Sequence, residues 1–469
     1  MASVRVFRSY LKTPFLVLLS IEVCLIFFSV YISSLLRFIN STNTFLSIID
    51  GLWVQASILA IITPLVMLAT GLYQGHIREG MSGILLRLLL SLIASSVIVT
   101  VLFYIFPDLY LGRGIMVLAG VLSFFIIGTL RAIFLELVDS KTFKKNVLVY
   151  GAGKTAQIIE TRLRRKSDRR SFTILGYILV EHQQQVLAID ESKLVKPNAS
   201  LFEFATEHEV DEIVVATSDV HAEIPVNDLV ECKLNGIEVV DIVSFFEREV
   251  GQVRVDILDP RWLVFSEGFK KSDFNDYVKR FFDLLVSFVI LAVAAPFMVL
   301  TMIAIKIEEG WKAPVFYHQV RVGLKGAHYR VYKFRSMRTD AEATGAVWAS
   351  KTDNRVTRVG AFIRKTRIDE LPQIYNALNG TMSFVGPRPE RPEFIETLAK
   401  EIPYYHDRHL VKPGITGWAQ LMYPYGASVN DSYQKQLYDL YYIKNKSIFL
   451  DFLILLQTVE IVLFGKGAR

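Results

Sequence analysis

Cysteine is nearly absent from this chain: Cys24 and Cys232 are its two examples among 469 residues. One sits in an apolar run and the other in a helical stretch, so a zinc cluster is excluded and a disulfide is a poor fit. The chemistry-bearing part is therefore expected to face the cytoplasm. Charge is also scarce, with 21% charged residues against 52% hydrophobic ones. That balance, and a mean hydropathy of +0.35, are too apolar for an ordinary soluble enzyme. No small-residue cleavage site follows the first apolar stretch, which reads as an anchor and not a removed signal. Gly153-Lys154-Thr155 imitates the end of a P-loop, but Leu148 occupies the place of the required earlier glycine, which argues against ATP binding of that type. His406 and His409 lack a third ligand at a supporting spacing, so a metal site there is not expected.

The chain does have long apolar segments. Residues 15–36, 54–72, 84–106 and 115–135 each reach the roughly 20 residues that cross a bilayer as a helix. Arg5, Arg8 and Lys12 precede the first, His76 and Arg78 separate the second from the third, and Lys141, Lys144 and Lys145 follow the fourth. The positive-inside bias then puts the N-terminus and everything after residue 140 in the cytoplasm. Arg87 and Arg131 are expected to snorkel from helix ends to the headgroups. Glu22 reads as a polar contact between helices. The net charge of +6 belongs mostly to residues flanking apolar segments, which favours lipid over nucleic acid.

After residue 145 short β-rich runs at 147–150, 174–180, 212–216 and 238–242 alternate with polar helical stretches, the rhythm of a parallel sheet with crossovers. The turn Gly151-Ala152-Gly153-Lys154-Thr155-Ala156 opens the first of those helices, and Glu181 is placed where a ribose-binding acid could sit. One such turn is a weak nucleotide signal, and a fold that keeps only the tight turn is the preferred reading. Residues 281–305 are apolar again, yet Lys279 and Arg280 precede them and Lys306 and Lys312 follow. Basic flanks on both sides, with Ala295-Pro296 near the centre, suggest a helix that enters one leaflet, bends and returns. The last helical stretch, 447–464, is too polar at Asp451, Gln457 and Glu460 to cross lipid comfortably and is expected at the interface or over the catalytic domain.

Residues 311–420 gather cations, prolines and paired carboxylates. At the centre is Arg367-Ile368-Asp369-Glu370-Leu371-Pro372, with Pro372 in a first helical turn and Asp369 at or near its cap. Cations, the helix dipole or a divalent metal would keep both carboxylates ionised. An ionised aspartate can attack phosphorus, and its neighbour can hold Mg²⁺. Lys333-Phe334-Arg335-Ser336-Met337 and Gly386-Pro387-Arg388-Pro389 add the cations of a diphosphate cradle. Lys333, Arg335, Arg367 and Arg388 are the candidates for charge stabilisation.

These motifs, with Phe316-Tyr317-His318-Gln319, Arg321-Val322-Gly323 and Lys412-Pro413-Gly414-Ile415-Thr416-Gly417-Trp418-Ala419-Gln420, resemble the bacterial sugar transferase family, the monotopic phosphoglycosyl transferases. The resemblance implies that Asp369 is the nucleophile, that Glu370 binds Mg²⁺, and that Pro387, Arg388 and Pro389 contact the nucleotide. It implies a re-entrant helix broken at Ala295-Pro296, where the family more often has a hydroxyl-bearing residue before the proline. The leading helices and the Rossmann-like insert resemble the large members that prime exopolysaccharide, capsule or O-antigen assembly. The implied reaction moves a sugar phosphate from a UDP-sugar to undecaprenyl phosphate at the bacterial inner membrane. Neither the sugar nor the pathway is legible. The expected architecture is a multi-domain membrane protein: a four-helix transmembrane bundle at 1–140, a cytoplasmic Rossmann-like α/β domain at 145–250, and a mixed α/β catalytic domain at 273–469. A homodimer is a further expectation, and nucleic acid is not an expected partner. The rival reading is a nucleotide-sensing membrane scaffold without catalysis, disfavoured by the intact Asp369-Glu370 pair.

Overall fold

The computed structural model describes residues 3–6, 9–40, 49, 51–73, 81–139, 144–164, 168–169, 171–180, 187–197, 200–217, 224–257, 273–338, 355–424, 426 and 428–464. Its contacts divide the chain into two units, with the main boundary between Phe245 and Phe246. That boundary falls five residues before the expected end of the Rossmann-like domain.

The first unit begins with two short paired strands, β1 (Ser3–Val6) and β2 (Ser9–Lys12). Four apolar helices follow: α1 (Thr13–Arg37), α2 (Leu52–Ala69), α3 (Met81–Ile105) and α4 (Arg113–Asp139). Each contains a segment long and apolar enough to cross a membrane, at the places that the hydropathy indicated. A tightly packed seam of Ile26, Val30, Ala56, Met67, Leu88, Val99, Ala119 and Ile127 joins them. Arg87 and Arg131 do not extend outward as the snorkelling expectation required, because each finds a carbonyl acceptor inside the bundle. Each is 4% exposed, and each binds a carbonyl just past the end of α2, Arg87 that of Thr70 at 2.6 Å and Arg131 that of Leu72 at 2.7 Å. Arg131 also meets Glu22 through its two other guanidinium nitrogens, Nε at 2.7 Å and Nη2 at 2.9 Å, while Tyr73 donates to the same carboxylate. Glu22 is thus the interhelical contact expected of it, fully buried and paired.

The same unit carries a five-stranded parallel sheet in the order β5-β4-β3-β6-β7. Its strands are β3 (Lys145–Tyr150), β4 (Phe172–Ile178), β5 (Leu194–Val195), β6 (Glu212–Val215) and β7 (Glu238–Asp241). Helices α5 (Lys154–Arg162), α6 (Leu201–Glu207), α7 (Val226–Leu234) and α8 (Ile242–Val250) connect or follow them. Val147, Leu148 and Val149 are all fully buried, as befits a central strand covered on both faces. The glycine-rich turn exists for a steric reason: Gly151 has φ +122°, and a Cβ there would stand 2.6 Å from the Ala216 carbonyl oxygen. Edge strand β5 has two residues and left no periodic signal to read. Glu181 lies outside the described residues.

The second unit is built around α9 (Asp273–Glu309), a 37-residue helix that contains Pro296. Strands β8 (Phe316–Val322) and β9 (His328–Phe334) form an antiparallel hairpin. Then come α10 (Arg358–Lys365), a 3₁₀ helix at Ile368–Gln373, α11 (Ile374–Asn379) and β10 (Ser383–Val385). Helix α12 (Pro392–Glu401), β11 (Gly414–Thr416), α13 (Trp418–Met422), α14 (Val429–Asn445) and α15 (Ile448–Phe464) complete it.

Both ends of α9 dock on this one folded unit. Near its start, Arg280 donates to the Ala377 carbonyl at 2.5 Å, and Asp283 accepts from Ser383 Oγ at 2.9 Å and the Phe384 amide at 3.1 Å. At its far end the Glu308 carboxylate accepts the first amides of α10, from Arg358 at 2.8 Å and Val359 at 2.9 Å. Between them Phe288, Val289, Val293, Phe297 and Leu300 are exposed. Helix α15 covers the domain at the same place. Its Asp451 is fully buried, pairs with Lys279 of α9 at 2.7 Å and accepts from Tyr442 at 2.8 Å.

Candidate active site

The Asp369-Glu370 pair is placed by a reversal between two helices. Thr357 caps α10 through the Gly360 amide at 2.9 Å, and a Cβ on Gly360 would come within 2.0 Å of the Ser336 carbonyl oxygen. That contact seats α10 against the end of the Lys333 to Met337 run. Arg367 then turns the chain with a left-handed backbone, φ +61°, a conformation that a non-glycine residue holds only at some energetic cost. Arg367 takes the cap position and Asp369 and Glu370 fall within the first turn, where the helix dipole favours carboxylates. Asp369 thus lies near the cap, two residues inside it.

The cations divide unequally between the two acids. Glu370 Oε1 accepts from Lys333 Nζ at 2.9 Å and from Arg388 Nη2 at 2.7 Å. Burial opposes its charge, but Arg388, Lys333 and Arg367 together hold its carboxyl well below the ordinary glutamate range. Asp369, 8% exposed, accepts no hydrogen bond among the described residues. Burial, and the neighbouring Glu370 charge to a lesser degree, push its carboxyl up against the pull of Lys333, Arg364 and Arg367. The cations therefore secure Glu370 first and leave Asp369 poised but unpaired, whereas the sequence suggested that they would hold both alike.

Lys333, Arg367 and Arg388 are thus brought to the pair. Arg335 is held elsewhere: its Nε donates to the Pro314 carbonyl at 2.9 Å, because the hairpin's last residues run back along the 314–315 main chain. The Pro387-Arg388-Pro389 turn is fixed by three glycines. A Cβ on Gly386 would meet the Lys412 carbonyl oxygen at 2.3 Å, on Gly414 the Gly386 amide nitrogen at 2.1 Å, and on Gly417 the Gly386 carbonyl oxygen at 2.2 Å. This backbone crossing carries the parallel pairing of β10 with β11 and gives Lys412-Pro413-Gly414-Ile415-Thr416-Gly417 its structural meaning. The turn's carbonyls are also held, Pro387 by the Gly414 amide at 2.9 Å, Arg388 by Arg408 Nη2 at 2.9 Å and Pro389 by Arg321 Nη1 at 3.1 Å. Ala295 and Pro296 lie in the middle of α9, apart from this constellation in sequence.

Three supporting residues escaped the sequence reading. Arg408 is buried, bridges Asp439 at 3.0 Å and bonds the turn, so Arg388 is positioned by a second arginine. Burial, opposed by Arg408, pushes the Asp439 carboxyl up to about 6. Asn376 of α11 donates to the Arg330 carbonyl at 2.7 Å and accepts from the Tyr332 amide at 3.1 Å, tying β9 to the acid-bearing element. Only the position of Asp407-Arg408 beside two histidines drew attention to any of them. Those histidine rings, His406 and His409, stand 6.2 Å apart, and burial, with the Arg408 charge adding to it, lowers His409 to about 4.

No cluster of three histidine, cysteine or acidic side chains suits a metal among the described residues. Magnesium is often bound by one or two carboxylates, with water and substrate phosphates completing its shell. The adjacent Asp369 and Glu370 carboxylates fit that mode, with Glu370 Oε1 already given to the two cations.

A family model described as bacterial sugar transferase matches residues 274–465, and one described as a CoA-binding domain matches 68–235. A UDP-N-acetylgalactosamine-undecaprenyl-phosphate N-acetylgalactosaminephosphotransferase of Aeromonas hydrophila is 43% identical over 241 residues, 51% of this chain and 56% of the relative. An undecaprenyl-phosphate glucose phosphotransferase of Komagataeibacter xylinus is 32% identical over 337 residues, 70% of this chain and 61% of the relative. These alignments span somewhat more than half of each relative's length. A UDP-galactose-lipid carrier transferase of Erwinia amylovora is 31% identical over 392 residues, 76% of each chain. With that coverage, and with the family's motifs folded into one site, the chain belongs to the bacterial sugar transferase family.

Proposed function

We propose that this protein transfers a sugar 1-phosphate from a UDP-sugar to undecaprenyl phosphate, releasing UMP, in the priming step of exopolysaccharide, capsule or O-antigen synthesis. The observation that carries the reading is the unbonded, buried Asp369 carboxylate beside a glutamate clamped by Lys333 and Arg388. An Asp369 oxygen attacks the sugar-linked phosphorus, the bond to the UMP oxygen breaks, and UMP leaves with the electron pair. The phosphate oxygen of the lipid carrier then attacks the same phosphorus and expels Asp369. Arg388 and Lys333 balance charge on the diphosphate, and Glu370 keeps them in place. A Mg²⁺ ion held by Glu370 would supply further neutralisation of the diphosphate.

The docking of both α9 ends on the catalytic unit supports a re-entrant path, since a spanning helix would put its ends on opposite sides of the membrane. A bend at Pro296 then dips the exposed apolar middle into one leaflet. This orientation keeps the site on the cytoplasmic side of the inner membrane, where UDP-sugars are made. The names of the relatives include N-acetylgalactosamine, glucose and galactose, so the family alone does not fix the sugar.

The test is to quench the purified protein with a panel of UDP-sugars in the absence of lipid carrier. One equivalent of UMP and a sugar phosphate on Asp369 in peptide mass spectra are expected. An adduct elsewhere, or turnover retained by Asp369→Asn, would end the assignment.

A further inference from the structure

The hairpin carries a second polar feature that the charge arrangement around Glu370 leaves unexplained. Tyr329, Val331 and Lys333 alternate along one face of β9, and their cross-strand partners on β8 are Arg321, Gln319 and Tyr317. Lys333 serves Glu370 at one end of this face. At the other end the Tyr329 hydroxyl is buried and makes no hydrogen bond among the described residues, although the ring is well seated: a Cβ on the facing Gly323 would lie 3.0 Å from it. Burying a hydroxyl without a partner costs free energy, and native structures seldom leave one so.

The surroundings say what is missing. The charged groups beside Tyr329 are Arg321 and Arg388. Arg321 is fixed by Gln319 Oε1 at 2.6 Å and by the Pro389 carbonyl, and Arg388 reaches across to Glu370. Guanidinium groups donate and never accept. The hydroxyl therefore faces donors where it needs an acceptor. A phosphate oxygen is an acceptor and an anion: it would satisfy the phenol and add to the carboxylates that the two arginines already face, Glu390 at 3.6 Å from Arg321 and Glu370 at 2.7 Å from Arg388.

We infer that Tyr329 and Arg321 form the part of the donor site that holds the nucleoside-side phosphate, on the far side of Arg388 from Asp369 and Glu370. This inference rests on the reaction proposed above. In that reaction the sugar-side phosphorus meets Asp369, and Arg388, which bonds Glu370 and whose charge also acts on Tyr329, marks the junction between the two phosphates. The phenol stabilises the oxygen on which charge develops as UMP departs. It takes up no proton and forms no covalent bond.

Tyr329→Phe keeps the ring against Gly323 and removes only the hydroxyl. The loss of one hydrogen bond to a charged acceptor should raise the KM for the UDP-sugar, and the UMP concentration needed for half inhibition, by about ten- to a hundredfold. Protection against heat inactivation by UMP should weaken in parallel, a readout that needs no turnover. Tyr332→Phe, on the opposite face of the same strand and edge-on to Tyr375, is the control and should match the wild type in all three. Unchanged KM and UMP affinity in Tyr329→Phe would overturn the inference, and so would an equal loss in Tyr332→Phe, which would indicate general weakening of the hairpin. If the wild type transfers no sugar phosphate from any UDP-sugar, the proposed reaction itself fails. If the wild type turns over and Tyr329→Phe equals it, only the subsite fails.

Discussion

Replacing Glu370 with glutamine would test the division of labour within the acid pair. The amide keeps the shape and one acceptor, but it removes the charge that Lys333 and Arg388 share at 2.9 and 2.7 Å. Hydrogen bonds to charged groups contribute about 1.5–3 kcal/mol each. The Lys333 and Arg388 side chains are 25% and 30% exposed, so water recovers part of the loss. A net destabilisation of about 1–3 kcal/mol is the expected outcome, read as faster heat inactivation in detergent. The second consequence is opposite in sign to simple damage. The Glu370 charge is one of the causes holding Asp369 up, so its removal should lower the Asp369 carboxyl. Protonated aspartate is not a nucleophile, and turnover falls on the acid side as pH drops through its titration. In Glu370→Gln that acid limb of kcat/KM should move to lower pH, even as the maximal rate falls. The assay is UMP release from about pH 4 to pH 8 at saturating Mg²⁺. An unmoved limb, or one displaced to higher pH, would refute the electrostatic account of the pair.

Asp369→Asn should abolish transfer yet resist heat better than the wild type. A carboxyl raised in the folded state contributes stability at low pH and loses it as pH rises through the folded value, so at neutral pH the ionised group is a cost that the amide removes. The gain should vanish when both proteins are compared in acid, and a less stable variant at neutral pH would contradict this. Gly414→Ala drives a Cβ to 2.1 Å from the Gly386 amide nitrogen, so activity should drop at least tenfold as the Pro387-Arg388-Pro389 turn shifts; near-normal rates would show that the crossing is not needed. Cysteines placed at Asp276 and Lys312, one outside each end of the apolar part of α9, should both resist an impermeant thiol reagent in intact cells, and labelling of only one would mean that the helix spans. In the bundle, Glu22→Gln leaves the Arg131 guanidinium buried with an amide oxygen but no counter-charge on that residue, and a loss of about 3 kcal/mol is expected as reduced membrane-inserted yield. Pairing it with Arg131→Met should recover most of that yield, and no recovery would show that the two do not act as a unit.

The local patterns were written in the chain. Unbroken apolar runs located α1 to α4 because length and hydropathy alone decide what can cross lipid. Strand positions in the parallel sheet were legible because β3, β4, β6 and β7 carry dense β-branched runs bounded by turns. The order of motifs from Phe316 to Gln420 identified the family, and with it the acid pair, Lys333 and Arg388. Contacts between residues distant in sequence were a different matter. Arg87 and Arg131 turn inward because α2 ends beside them, a fact of packing that no count of residues contains. Asp369 stands alone and Glu370 takes the cations because Arg367 adopts a left-handed backbone and a strand and a turn converge from 37 residues before Glu370 and 18 after it. The bare hydroxyl of Tyr329 depends on strand register and on which groups neighbour it in space. Sequence fixes what each segment can bury, whereas partner choice is settled only when the folded chain brings donors and acceptors within about 3 Å of each other.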